Sequence, residues 1–206
     1  MNQLPDTYWS KSLLRALFCA IILFVIISLL VIGTVPASVQ AQSIRSAVYL
    51  PFLTASAISH TPNDQELKIA QLMQSAPEQR RAKLRYNPVL AEVARKRAED
   101  MAQRAYVAHV NPDGKGPNYL VRQAGYILPD FYPYTLDANN IESIAAGQPT
   151  VEQVWATWLN SAPHRAHILA TDPFYAAQID YGIGYAYNPD STYVHYWVII
   201  TAQPGP

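Results

Sequence analysis

The chain is 206 residues long, with 15 Lys plus Arg balanced by 15 Asp plus Glu, and half of its residues are hydrophobic. Zero formal charge excludes a globally basic nucleic-acid binder, whose affinity rests on phosphate neutralisation. The one cysteine, Cys19, excludes an intrachain disulfide and a Cys-based zinc site.

The first element is apolar. Ala16 to Ile32 carries no charge and follows Lys11 and Arg15. Its 17 residues exceed a usual signal-peptide core of about 7–15 and approach the minimum for a bilayer span. Small residues at Ala37 and Ala41 supply two sites for signal peptidase. Residues 1–41 therefore read as a signal peptide or as a single-pass membrane anchor. Both place the remainder on the extracytoplasmic side, because the positive flank stays in the cytoplasm. Cys19 opens the run instead of following it, so it is an apolar filler and not a lipid attachment site.

Residues 42–63 are rich in Ser, Thr and Pro without helical periodicity and read as a linker. The Val48–Leu53 patch within it is apolar enough to pack on a domain. His60 is expected to be solvated there. The folded domain is expected over residues 64–203. Asn63 or Asp64 caps a first helix carrying Leu67, Ala70, Leu72 and Met73. Asn87-Pro88 starts a longer one, with Leu90, Val93, Ala94, Ala98, Met101 and Ala105 at spacings of three and four. A Gly/Pro turn over 109–117 follows, then a short helix from Pro117 to Ala124, then a long loop over 126–140. Thr150, with Gln153 three residues on, predicts a capping box for a helix whose apolar face holds Val151, Val154, Trp155 and Trp158. Ser161 caps a last short helix. Ile179–Tyr187 and Tyr193–Ala202 alternate as strands around an Asn188-Pro-Asp-Ser191 turn and form a β-hairpin. Helices first and a hairpin last predict an α+β domain.

Three polar residues stand at junctions: His109, Glu142 and His164. A carboxylate amid Ile141, Ile144 and Ala145 is buried enough to need a partner. Two imidazoles and a carboxylate can bind Zn²⁺ with water completing the site, but spacing alone favours a structural hydrogen-bond network or solvent exposure. No His-Glu-x-x-His spacing and no Gly-x-Ser-x-Gly elbow occurs. His167 either packs or faces solvent, and His195 fills a strand face. The aromatic loop residues Tyr126, Phe131, Tyr132 and Tyr134 either pack or stack on sugars or lipid.

Taken in order, Ala98-Glu-Asp-Met-Ala102, Tyr106-Val-Ala-His109, Asn111-Pro-Asp-Gly114, Glu142-Ser-Ile-Ala-Ala-Gly147, Trp158-Leu-Asn-Ser-Ala-Pro-His-Arg165, Gly182-Ile-Gly184 and Tyr196-Trp197 resemble the CAP superfamily in its bacterial branch. That superfamily includes cysteine-rich secretory proteins, antigen 5 and plant pathogenesis-related proteins. The resemblance covers about residues 64–203. It implies an α-β-α sandwich, with a small antiparallel sheet covered by helices around a central cleft. By resemblance, His109 and His164 are the cleft histidines, tentative ligands of Zn²⁺ or another divalent metal, and Glu142 is the first cleft glutamate. Ser161 stands where animal members carry a second glutamate, and Ser143 where members usually carry Asn. Members have been linked to sterol or lipid binding, to divalent metals and occasionally to proteolysis. The expected function is thus an extracytoplasmic binding module for a metal or a small, lipid or cell-envelope ligand, with no nucleic-acid partner. The alternatives are a metal-assisted hydrolase with Glu142 as base and an inert structural or adhesive surface domain.

Overall fold

The computed structural model describes residues 60–206. The apolar run at 16–32, its cleavage sites and the Val48–Leu53 patch lie outside the described residues. Among the described residues no helix is long and apolar enough to cross a membrane.

Local chemistry sets the helix starts. Helix α1 (Asp64–Ser75) begins with a reciprocal capping box. The Asn63 side chain accepts from the amides of Gln65 and Glu66, and Glu66 accepts from the Asn63 amide. A two-residue strand, β1 (Arg85–Tyr86), precedes α2 (Pro88–Arg104), which Asn87 caps through the amides of Val89 and Leu90. Helix α3 (Pro117–Gln123) is followed by the long loop and then by β2 (Glu142–Ala146). Thr150 caps α4 (Val151–Asn160) through the Gln153 amide, one half of the expected box. Helix α5 (Ala162–Leu169) follows at once. Ser161 occupies its N-cap position, but the hydroxyl makes no capping bond, which corrects the role expected for that side chain. A 3₁₀ turn (Pro173–Tyr175) leads to β3 (Asp180–Tyr187) and β4 (His195–Ala202).

The sheet order is β1-β3-β4-β2. The expected hairpin pairs β3 with β4 from Asp180↔Ala202 to Tyr187↔His195, and β2 adds antiparallel to β4 from Glu142↔Ile200 to Ala146↔Tyr196. Strand β1 adds in parallel to β3, so the sheet is mixed and not wholly antiparallel. Helices cover both faces, as an α-β-α sandwich requires. Along β4, Tyr196, Val198, Ile200 and Ala202 pack toward α2 and α3, whereas Trp197 and Ile199 pack toward α1, α4 and α5. Val198, Ile199 and Ile200 are all 0% exposed, and each such side chain contributes roughly 1.5–3 kcal/mol relative to exposure. Trp158 and Trp197 are likewise core, and each indole N–H finds a carbonyl, of Ile144 and Gln148.

Two glycines let α2 touch the sheet backbone. A Cβ at Gly182 would sit 2.1 Å from the Ala91 nitrogen, and one at Gly184 would sit 2.2 Å from the Ala94 carbonyl carbon. His60, expected in solvent, is instead buried, with Nδ1 2.8 Å from the Tyr86 hydroxyl. Its ring is an apolar body with polar tips, and it packs where the chain enters α1.

Candidate functional site

Strand β2 lies at the sheet edge, and its pleat sends neighbouring side chains into different layers. Glu142 points to α2 and Ser143 to α5. This division builds the site.

In the α2 layer the partner of Glu142 is Arg97. The guanidinium Nε donates to Oε1 at 2.9 Å and Nη2 to Oε2 at 3.3 Å, with both side chains nearly inaccessible. Nη1 also donates to the Tyr106 hydroxyl at 2.6 Å, and Nη2 to the carbonyls of Ala108 at 2.7 Å and His109 at 3.0 Å. Burial pulls the Arg97 pKa down, but the adjacent carboxylate outweighs it and holds it above the ordinary value. Arg97 thus ties the chain after α2 to β2 and delivers His109. The His109 Nδ1 lies 3.0 Å from Glu142 Oε2. An ionised carboxylate only accepts, so Nδ1 carries the proton, and the neutral ring keeps its lone pair on Nε2. This ring is 40% exposed.

In the α5 layer His164 sits in the first turn, half-buried. Its Nδ1 is buried and has no hydrogen-bond partner among the described residues. Burial lowers its pKa, and a proton on His109 would lower it further, so the neutral ring is favoured. One helical turn on, His167 is buried beneath the cleft, and burial with the Arg81 charge pushes its pKa down to about 3.

The hydrogen bonds around His167 run one way. The Asn140 carbonyl accepts from Gln178 Nε2 at 2.8 Å, which leaves Gln178 Oε1 to accept the Thr201 hydroxyl at 2.7 Å. Thr201 has no second proton, so His167 Nε2, 2.7 Å away, donates to it. The neutral ring's Nδ1 then accepts from the Ser143 hydroxyl at 2.7 Å. Arg81 completes this floor without a carboxylate. It donates to the carbonyls of His167 at 2.7 Å and Ile168 at 2.8 Å, which satisfies the end of α5, and burial lowers its pKa to about 10.

These groups enclose one cleft of about 150 Å³, lined by His109, Asn139, Asn140, Glu142, Ser143, His164, His167 and Tyr175, with Ile141 and Pro163. The structure therefore brings His109, Glu142 and His164 together. Ser161 is not among the lining residues. It is spent on the α4–α5 corner, its amide on the Trp158 carbonyl and its carbonyl on the Arg165 amide. Among the described residues no three His, Cys, Asp or Glu side chains form a group that could hold a metal ion. The donors available to a divalent ion are the two imidazoles, because both oxygens of Glu142 are engaged by Arg97 and His109. Sequence reasoning missed Arg97, which lies seven residues after Leu90 and four before Met101, on the buried stripe of α2. The pattern of α2 held that signal, whereas nothing local marks Ser143 or Thr201.

The loop aromatics divide. Tyr126 and Tyr132 are core, and Tyr126 donates to Asp180 at 3.0 Å, whereas Phe131 and Tyr134 are exposed. His195 fills the strand face beside Tyr185, whose hydroxyl lies 2.8 Å from its Nδ1.

Comparison with known proteins bears on this arrangement. The fold matches an outer surface protein of Borrelia burgdorferi with TM-score 0.52 at 17% identity, over 70% of this chain and 97% of that one. An extracellular, SCP-domain protein of Bacillus anthracis aligns with TM-score 0.49 at 19% identity, over 70% of this chain and 45% of that one. Venom allergen-like protein 4 of Schistosoma mansoni aligns with TM-score 0.43 at 15% identity, over 70% and 92%. No curated protein matches the chain. The model of the cysteine-rich secretory protein family matches residues 76–201, more than half of the sequence and the whole span from β1 through the cleft to β4, and the chain belongs to that CAP family.

Proposed function

We propose that the domain is an extracytoplasmic binding module whose cleft accepts a small ligand group between His109 and His164, and that it is not a hydrolase. The observation that carries this reading is the state of Glu142. Its carboxylate is locked to a buried guanidinium, so it orients His109 and has no free oxygen with which to take a proton from water. A general base needs a reachable, uncommitted acceptor. Both imidazoles, in contrast, line the cleft, and neither His109 Nε2 nor His164 Nδ1 has a hydrogen-bond partner among the described residues. The Glu142 carboxylate holds His109 through Nδ1, as a carboxylate behind a metal-binding histidine holds that ring. A divalent metal is the simplest group that two such nitrogens would hold, with its remaining positions left to water or ligand. Export is supported by the apolar run with its positive flank, and the Borrelia neighbour is an outer surface protein.

The test is calorimetric titration of the full chain with Zn²⁺, beside His109→Ala and His164→Ala. One ion bound per chain, lost in either variant, is the expected result. No binding, or binding indifferent to both substitutions, refutes the pairing of the histidines. Metal-dependent peptide or muropeptide cleavage abolished in Glu142→Gln would restore the hydrolase reading.

A further inference from the structure

The chain enters its first helix past a buried histidine that takes no part in the cleft. The His60 side chain is 2% exposed and lies against Glu66, itself 1% exposed. Its partners fix its proton. The Tyr86 hydroxyl donates to the His60 carbonyl at 3.0 Å, so it accepts from His60 Nδ1 at 2.8 Å. The neutral ring then carries only a lone pair on Nε2. That nitrogen is buried and has no hydrogen-bond partner among the described residues.

A second proton would enter at Nε2, where no acceptor awaits it. Glu66 Oε2 lies 3.9 Å away, beyond hydrogen-bond reach. Both oxygens of that carboxylate are already filled. Arg95 holds them through Nε and Nη2, and the amides of Asn63 and Tyr185 donate to them at 2.9 and 3.1 Å. The charges around the ring divide. Glu66 from α1 and Glu92 from α2 favour a proton, and Arg95 from α2 opposes one. Strand β1 presents the neutral Tyr86, backed by Tyr181 of β3. Burial is the largest influence, and the pKa of His60 falls below its ordinary 6.5. The ring secures only a short strap, residues 60–62. Arg95 adds one bond, to the Thr61 carbonyl at 3.3 Å, and Pro62 lines a small apolar recess with Leu67, Ala70, Tyr86 and Ile183. From Asn63 onward the capping box holds the chain, so the ring can leave without unwinding α1.

We infer that His60 is an acid-released latch: on taking a second proton the imidazole leaves its place between Tyr86 and Glu66, the strap undocks, and the apolar recess beside α1 is uncovered while the domain stays folded. The latch involves none of the cleft residues. The docked form binds fewer protons than the undocked one, so docking is full above pH 6.5 and weakens below it, by at most about tenfold per pH unit. The test uses the full chain in detergent with Cys19→Ser and a nitroxide on Thr61→Cys, an exposed position of the strap. Its mobility is read by electron paramagnetic resonance at pH 7.5 and pH 5.0. The mobile fraction should rise severalfold in acid and reverse on neutralisation, while a nitroxide on Gln71→Cys, exposed on α1, stays unchanged. His60→Gln should lose the pH dependence, and His60→Lys, charged at both pH values, should be mobile at both. A strap equally mobile at the two pH values, the same rise in His60→Gln, or tighter docking in acid overturns the latch. Loosening that appears equally at Gln71 also overturns it, since the whole domain would then be opening.

Discussion

Replacing Arg97 by Met tests the central claim about the site, that Glu142 is held as a buried ion and not kept free for chemistry. Methionine fills most of the aliphatic volume but removes every donor. It leaves Glu142, whose side chain is 0% exposed, with only the His109 N–H, and it strips the carbonyls of Ala108 and His109 of their charged donor. Breaking a buried pair from one side costs about 3–5 kcal/mol, because the surviving charge is uncompensated. For a domain of this size each kcal/mol is worth about 2–4 °C in Tm, so the variant should melt lower by about 6–20 °C. The double variant Arg97→Met/Glu142→Gln removes the stranded charge and should recover about 2 kcal/mol of that loss, a coupling typical of direct partners. Urea denaturation followed by near-ultraviolet circular dichroism measures both. A single-variant cost under about 1 kcal/mol, or a double variant whose cost is the sum of its parts, would refute the buried-ion account.

Other consequences can be measured on the same footing. His167 has its pKa lowered from 6.5 to about 3 in the folded state. The unfolded chain therefore binds the extra proton, so stability is full above pH 6.5 and falls as pH drops toward 3, by about 1.4 kcal/mol per unit for this one group. His167→Gln should remove about one proton's worth of that slope in urea titrations between pH 7 and pH 4.5; an unchanged slope would mean that the buried imidazole does not dominate it. Val194, between the β3–β4 turn and β4, has φ +63°. That region is unfavourable for a β-branched residue, so Val194→Gly should raise stability by about 1 kcal/mol despite the entropy of glycine, as read from the denaturation midpoint. Gly184→Ala should cost more than about 3 kcal/mol, since the new methyl meets helix backbone and not a movable side chain; a near-native melting temperature would show that α2 can lift off the sheet.

The parts of the fold legible in the sequence are those governed by neighbours in the chain. Asn63, Asn87-Pro88 and Thr150 mark helix starts because a cap acts within three residues, and β3 and β4 alternate visibly. Strand β2 escaped because Glu-Ser-Ile-Ala-Ala has little strand character of its own. It becomes a strand by pairing with Val198, Ile199 and Ile200, more than fifty residues away. The same distance hid the floor of the cleft, where Ser143, His167, Gln178 and Thr201 meet from four separate segments. Arg97 was hidden differently. It stands among Arg95, Lys96, Glu99 and Asp100, and it alone of these charged residues is buried. His109, Glu142 and His164 line one cleft, but the resemblance was silent about Arg97, and this salt bridge changes what the carboxylate can do.

The paired glycines of β3 have a mechanical consequence. Because Gly182 and Gly184 press backbone against backbone at Ala91 and Ala94, α2 and the sheet move as one piece, and no side-chain cushion is there to absorb a sliding motion. Arg97 rides on that piece, as does Glu142 through β4, so the back wall of the cleft is a fixed jaw. Any adjustment to the size of a guest falls to Tyr175 and the loop before β2, because His167 ties α5 to the same piece through Ser143 and Thr201. Variation there would retune what the domain holds while its frame stays unchanged.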